Sequence, residues 1–349
     1  MTIENYTIDQ NSPVFIIAEL SANHNGSIDT AIETVRAAKR AGADCIKLQT
    51  FTADTITLDS KKEDFKISQG TLWDGQYLHD LYKTTHLPWE WHEKIMEVAK
   101  EEGLICFSSP FDPTSVEFLE SLNVPAYKIA SFEITDIPLI ELIASKGKPV
   151  IISTGIAEKE DIELALDACR RMGNNDVALL KCTSSYPAPI EEANMCMVKD
   201  LAERYKVITG LSDHTMGSTV PVVATVMGAK IIEKHFILDH AVGGADASFS
   251  MDEGEFTEMV KAVREAESAI GHVDYTLTEK QRKGRDFCRS LYITKDIKAG
   301  EIFTKDNVRS VRPGFGMHPK FYNEILGQIA STDLDKGTPL KWDVLLKSD

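Results

Sequence analysis

From residue 14 onward the chain alternates short apolar runs with longer stretches in which apolar positions recur every three or four residues. Such a pattern predicts buried strands alternating with core-facing helices. Eight runs read as strands: 14–20, 44–50, 104–109, 126–131, 149–154, 177–184, 206–213 and 229–236. Helical spacing falls between them in "DTAIETVRAAKRAG", "PWEWHEKIMEVAKEEG", "PTSVEFLESL", "EKEDIELALDACRRMG" and "DEGEFTEMVKAVREAESAIG". Several of these end in Gly, the usual helix stop. Eight β/α units over about 260 residues match a closed parallel (β/α)8 TIM barrel in count and size. An open doubly wound sheet is the alternative, but no predicted strand is followed by GxGxxG.

Past residue 271 the pattern changes. "HVDYTLTEKQRKGRDFCRS" is polar and basic, and short β-like pieces broken by Gly and Pro follow it. The predicted organisation is a barrel over 1–270, a linker over 271–286 and a small β-rich domain over 287–349. A long polar insertion after the second strand carries Trp73 and reads either as a lid or as a structural excursion. Pro88-Trp89-Glu90-Trp91-His92 reads as a helix start with buried indoles.

Composition narrows the class. Hydrophobic residues make up 43% and charged residues 26% of the chain, an ordinary soluble globular mix. No apolar run approaches the roughly 20 residues that span a bilayer. The start "MTIENYTIDQNSPVF" lacks a basic segment followed by an apolar core, so a cytoplasmic location is expected. The six cysteines are scattered without a CxxC pair, which favours free buried thiols over disulfides or zinc. A net charge of −16 argues against nucleic acid and anionic membrane as partners. An anionic ligand would therefore need a local positive pocket.

In a (β/α)8 barrel the catalytic groups sit where the strands end. Here nearly every predicted strand ends in polar chemistry. In order, these ends carry Glu19; Lys47 and Gln49; Ser108 and Ser109; Lys128 and Ser131; Ser153 and Thr154; Lys181, Thr183 and Ser184; Ser212-Asp213-His214; and Glu233-Lys234-His235. The strand period of two places Cys45, Lys47 and Gln49 on one face, Gly210, Ser212 and His214 on another, and Ile231, Glu233 and His235 on a third. Two imidazoles, His214 and His235, at the ends of adjacent strands suit a divalent metal with open positions, though hydrogen-bonded core histidines share the spacing. Lys47 and Lys128 are costly in a buried strand unless a negative charge meets them. Among Ser109, Ser131, Ser153, Ser184 and Ser212 they read as a pocket for a small, multiply charged anion. Salt bridges to Glu19 and Glu233 are the competing explanation.

"FIIAELSANHNGS", "IKLQTF", "FSSPF", "YKIAS", "STG", "KCTSSYP", "GLSDHT" and "EKHF", in this order, resemble the sialic acid synthase family. "SVRPGFG" in the tail resembles the family's antifreeze-like (SAF) domain. "KEDFKISQGTLWDG", "PWEWH" and "SVRPGFGMHPK" look most like its pseudaminic acid branch rather than the N-acetylneuraminate branch. The resemblance implies condensation of phosphoenolpyruvate with an N-acylated sugar aldehyde. It implies that His214 and His235 hold a divalent cation, manganese first, with magnesium or cobalt as alternatives. Phosphoenolpyruvate would lie against Lys47, Ser109, Lys128, Ser131, Ser153, Ser184 and Ser212. Glu19 would handle protons, with Glu233 as the other candidate base, and Gln49, Tyr186 and Asp246 would lie near the sugar. Arg312 would reach the sugar's N-acyl group from the antifreeze-like domain of a partner chain, in a domain-swapped homodimer. Two rivals remain at this point: a Schiff-base aldolase using Lys128 or Lys181, and a sugar- or ice-binding protein on an inert barrel.

Overall fold

Eight of the apolar runs form one closed barrel of parallel strands in the computed structural model, which describes residues 1–346. The strands are β1 (Phe15–Glu19), β2 (Cys45–Thr50), β3 (Ile105–Pro110), β4 (Tyr127–Ile129), β5 (Val150–Ser153), β6 (Val177–Cys182), β7 (Ile208–Asp213) and β8 (Ile231–His235). They pair in sequence order, and β8 closes the ring on β1 with Ile231 opposite Phe15 and His235 opposite Glu19. The helices that follow them are α1 (Ile28–Arg40), α2 (His92–Glu101), α3 (Pro113–Ser121), α4 (Ile137–Ala144), α5 (Lys159–Arg171), α6 (Cys196–Tyr205), α7 (Thr219–Val226) and α8 (Glu253–Ile270).

The period of two sorts each strand. Phe15 and Ile17 of β1 join the cluster inside the barrel, with Ile105, Phe107, Ile151, Leu180 and Ile231. Ile16 and Ala18 face outward and pack with Val35, Ile95 and Phe256 of the helix layer. Each such buried aliphatic or aromatic side chain contributes about 1.5–3 kcal/mol. The first residues form a tight hairpin, Thr2–Ile3 against Tyr6–Thr7, whose Ile3 and the following Ile8 are buried in the inner cluster. That apolar plug fills the end where the strands begin, and polar groups are left to the end where they finish.

Helix starts and stops use local chemistry. Asp112 accepts from the backbone of Thr114 and Ser115 at 2.8 and 3.1 Å and caps α3, with Pro113 in the first turn. Gly42 and Gly173, past the ends of α1 and α5, take φ of +92° and +77°, a region disfavoured for side-chain-bearing residues. The insertion between β2 and α2 carries short helices at Ala53–Ile56 and Leu78–Thr85. The Trp-rich motif forms a single 3-10 turn, Trp89–Trp91, leading into α2, with both indoles half-buried.

The chain divides into two units, Met1–Gly271 and one beginning at His272. The second unit has its own core of Leu291, Ile293, Ile297, Phe303, Val308, Ile325, Leu334 and Leu340. Its antiparallel strands β9 (Ser290–Ile293) and β10 (Val308–Val311) pair Ser290 with Val311. The segment read as a linker contains a helix, Glu279–Gly284, capped by Thr278. It lacks a buried face, which is why apolar periodicity does not reveal it. Cys45, Cys106, Cys169 and Cys182 are buried free thiols, whereas Cys196 and Cys288 are exposed. No helix among the described residues is long and apolar enough to cross a membrane.

Candidate active site

Alternation stacks the barrel interior in layers. Above the apolar floor, Glu19, Lys47, Ser109, Lys128, Ser153, Ser212 and Glu233 are all buried at the strand ends. The Lys47 ammonium contacts the Glu19 carboxylate, lies 3.7 Å from Glu233 Oε1 and donates to Ser109 Oγ at 3.3 Å. Lys128 donates to Glu233 Oε1 at 3.2 Å, and Ser212 Oγ donates to the same oxygen at 3.1 Å. The two lysines are therefore ion-paired with Glu19 and Glu233 as the structure stands. Glu233 Oε2 and Ser153 Oγ are buried without hydrogen-bond partners, so the network retains capacity for a polar ligand.

The two carboxylates differ. Burial pushes Glu19 up to about 7, with the Lys47 charge only partly offsetting it. Burial also raises Glu233, but Lys128 and Lys47 together outweigh it and hold that carboxyl below its ordinary range. Lys47 is depressed by burial yet ends above its usual value because Glu19 and Glu233 flank it. Lys128, with burial only partly offset by Glu233, falls below.

Beside this network, Ser131 Oγ accepts from Ser184 Oγ at 2.8 Å and from the Ile156 N–H at 3.2 Å. Gly155 makes the meeting possible: a Cβ there would lie 2.1 Å from Ser184 Oγ and 2.4 Å from Ser131 Oγ. Gln49 donates to Glu19 Oε1 at 2.9 Å and to Ser21 Oγ at 3.1 Å; Ser21 in turn donates to Asp246 Oδ2 at 2.5 Å. Burial raises the Asp246 carboxyl despite the Ser21 bond.

At the rim, the His214 and His235 rings lie 5.2 Å apart at 55°. His214 Nδ1 faces the Thr183 carbonyl at 2.9 Å; a carbonyl only accepts, so Nδ1 carries the hydrogen, and although burial lowers this ring, Cys182 and the Thr183 carbonyl outweigh it and hold it above the usual imidazole range. Burial and the neighbouring His214 hold His235 well below the usual imidazole range, and its Nδ1, 3.8 Å from Asp246 Oδ2, has no hydrogen-bond partner. Tyr186 sits 4.3 Å from the His214 ring, and Phe249 5.0 Å from His235. Trp73 of the insertion reaches this group, 5.8 Å from Tyr186 and 6.5 Å from Phe249.

The barrel thus brings together fourteen of the fifteen residues to which the resemblance gives a role, all but Arg312. Arg312 is exposed in the second unit, just past β10. Alternation turns Lys181 to the outer side, where it donates to Cys182 O at 2.5 Å, so it is not presented as an inner nucleophile. Ser108 likewise faces out and bonds Thr50 at 2.6 Å. Three lining residues escaped sequence reasoning: Ser21, Phe249 and Glu133. Glu133 Oε2 is buried without a partner, and burial pushes its carboxyl up to about 7. Its place two residues after Ser131, in the first turn beyond β4, was the available signal.

A buried lysine–carboxylate network beneath two imidazoles, at the strand-end mouth of a (β/α)8 barrel, stands where enzymes of this fold carry their active sites. The chain belongs to the NeuB family, whose model matches residues 34–275, and residues 289–346 match the SAF domain. It is 51% identical over 98% of both chains to a protein of Campylobacter jejuni named pseudaminic acid synthase. It is 48% identical, over 96% of this chain and 99% of the other, to the Helicobacter pylori protein of the same name. Among solved structures, an N-acetylneuraminic acid synthetase of Leptospira borgpetersenii in complex with citrate is similar, with TM-score 0.73 and 29% identity over 81% of this chain and 94% of that one. These similarities bear out the fold and family that the motifs implied.

Proposed function

We propose that this chain is a pseudaminic acid synthase. It condenses phosphoenolpyruvate with 2,4-diacetamido-2,4,6-trideoxy-L-altrose and water, giving pseudaminic acid and phosphate with cleavage of a C–O bond. The observation that carries the chemistry is the Lys47–Glu19–Glu233–Lys128 network lying directly beneath the His214–His235 pair. The choice of sugar follows the two relatives near 50% identity over the whole chain. The citrate complex of the Leptospira relative supports a site that accepts a polycarboxylate.

Carbon 3 of phosphoenolpyruvate attacks the aldehyde carbon, positive charge develops at carbon 2, water adds there, and the tetrahedral intermediate expels phosphate. Lys47 and Lys128 hold the carboxylate and phosphate, with Ser109, Ser131, Ser153, Ser184 and Ser212 donating hydrogen bonds, so orientation supplies much of the rate. Glu233 stays ionised between two ammonium groups and stabilises the positive charge at carbon 2. Glu19, titrating near neutrality, takes the proton from the attacking water. Gln49, Tyr186 and Asp246 meet the sugar.

The residues also fit a divalent cation. His235 is held neutral with an unpartnered Nδ1, and the Thr183 bond fixes the His214 hydrogen on Nδ1, so that Nε2 is the atom its neutral ring would offer. Manganese is our first choice, magnesium or cobalt the alternatives; once bound it would act as a Lewis acid on the aldehyde oxygen. Among the described residues, the group of His, Asp and Glu whose ligand atoms all lie within 4.8 Å of one another is His240, Asp252 and Glu255 rather than the His214–His235 pair; its contacts are accounted for by capping of α8 and by His240 bonding Ala247 O and Glu255. We further place the protein in the cytoplasm as a domain-swapped homodimer, with Arg312 contacting the sugar's N-acyl group from the partner chain.

The test is phosphate release from phosphoenolpyruvate with the trideoxy sugar beside N-acetylmannosamine, before and after EDTA and with manganese restored. Release with the trideoxy sugar alone, lost with EDTA and recovered with manganese, is the expected outcome. Release with N-acetylmannosamine instead would move the chain to the N-acetylneuraminate branch. Release unaffected by EDTA would remove the metal from the reading.

A further inference from the structure

The outward faces of β7 and β8 carry a second ionic group that the chemistry above does not use. Alternation turns Ser212 and His214 inward and Asp213 outward; on β8 it turns Glu233 and His235 inward and Lys234 outward. Lys234 lies opposite Asp213 in the ladder. Its Nζ donates to Asp213 Oδ2 at 2.6 Å and also to the Thr215 carbonyl. Asp213 in turn accepts from the Thr215 N–H at 3.0 Å and from Thr215 Oγ1 at 3.1 Å. Asp213, Thr215 and Lys234 are 3%, 1% and 1% exposed. A closed ring of hydrogen bonds therefore runs round His214 through both of its chain neighbours, and its cation is the residue bonded to His235.

A buried ion pair is by itself weak evidence of stabilisation. Removing two charges from water at such depth can outweigh their attraction, and apolar pairs of similar volume often serve a fold as well or better. What the ring does fix is geometry, because it joins the two strand ends that carry the imidazoles. We propose that Asp213, Thr215 and Lys234 form a positioning clamp that sets the separation and tilt of His214 and His235. The inference rests on the reading that these two imidazoles hold a cation together. With only two imidazoles to define that site, their relative placement matters more than it would in a closed four-ligand cage.

The diagnostic protein is full-length D213N/K234M, which removes both charges at similar volume and keeps an acceptor for the Thr215 N–H. K234M alone would leave Asp213 charged and unpaired, and lost stability would mask any other effect. Three quantities are measured without substrate: the unfolding midpoint, manganese affinity by electron paramagnetic resonance titration, and the imidazole 15N–1H signals of His214 and His235 in metal-free protein. The clamp predicts an unfolding midpoint equal to or above that of the wild type, manganese affinity weakened about 10- to 100-fold and displaced signals from both rings. Unchanged affinity with unmoved ring signals would overturn it. If the wild-type protein binds no manganese, the metal reading fails by itself and the ring signals alone decide the clamp. If the double variant does not fold, T215V, which removes the Thr215 Oγ1 bond to Asp213 and leaves the ion pair intact, is judged on the same readouts.

Discussion

Glu19 and Glu233 sit on adjoining strands and share Lys47, yet their environments push them apart. Glu19 titrates near neutrality because burial outweighs its single close cation, whereas Glu233 has two and stays ionised. A base must be deprotonated to accept water's proton, so kcat/KM should fall as pH drops through about 7, not near the ordinary value of 4.5. Glu19→Gln should lower kcat by about 10²–10⁴-fold and abolish that limb in the residual rate. A pH–rate profile of both proteins checks this, and a limb that survives in the Gln variant assigns it to another group, with Glu133 the next candidate. At this scale much was legible, because a charged residue inside an apolar run advertises its cost: Lys47, Lys128 and Glu233 were visible for that reason. Ser108 and Ser109 look alike in sequence, and only the pleat separates the outer from the inner. Glu133 and Ser21 lie in the turns beyond strands, where no period sets direction.

Eight β/α units were readable because each strand needs a continuous apolar run and each helix a periodic face and a stop. Elements without those signatures were not. The two-residue strands of the N-terminal hairpin are too short to show a period, and β4 keeps only three of the six residues in its run. The insertion after β2 is the element whose role the structure sharpens. Its polar composition gave no fold, but Trp73 packs towards Tyr186 and Phe249 beside the histidine pair. Such aromatic contacts contribute about 0.5–1.5 kcal/mol beyond area burial, so Trp73→Ala should raise the KM for the sugar roughly 2- to 12-fold. Because Trp73 is only half-buried on an excursion from the barrel, the unfolding midpoint should stay close to the wild-type value. Steady-state kinetics against both substrates, with a melting curve, separates the readings. A lowered midpoint with unchanged KM would make Trp73 a structural residue.

For the whole molecule, the change of pattern after residue 271 announced a second unit, and Gly271 closes the first. How two chains combine leaves no such periodic trace. Arg312 is exposed in its own unit, so if it contributes to the reaction it must meet a substrate held by a barrel. Whether that barrel belongs to the same chain is a question of bookkeeping between two damaged proteins. Arg312→Ala and Glu19→Gln should each be nearly inactive alone. When the two are unfolded and refolded together, random pairing makes half the dimers mixed. If Arg312 serves the partner's barrel, one site of each mixed dimer unites an intact Glu19 with an intact Arg312, and its twin carries both lesions. Activity should then return to about one quarter of wild type, the share of intact sites in a symmetric two-chain assembly. If Arg312 serves its own barrel, every site carries one lesion and mixing restores nothing. A monomer by sedimentation would remove the partner chain from the reaction altogether.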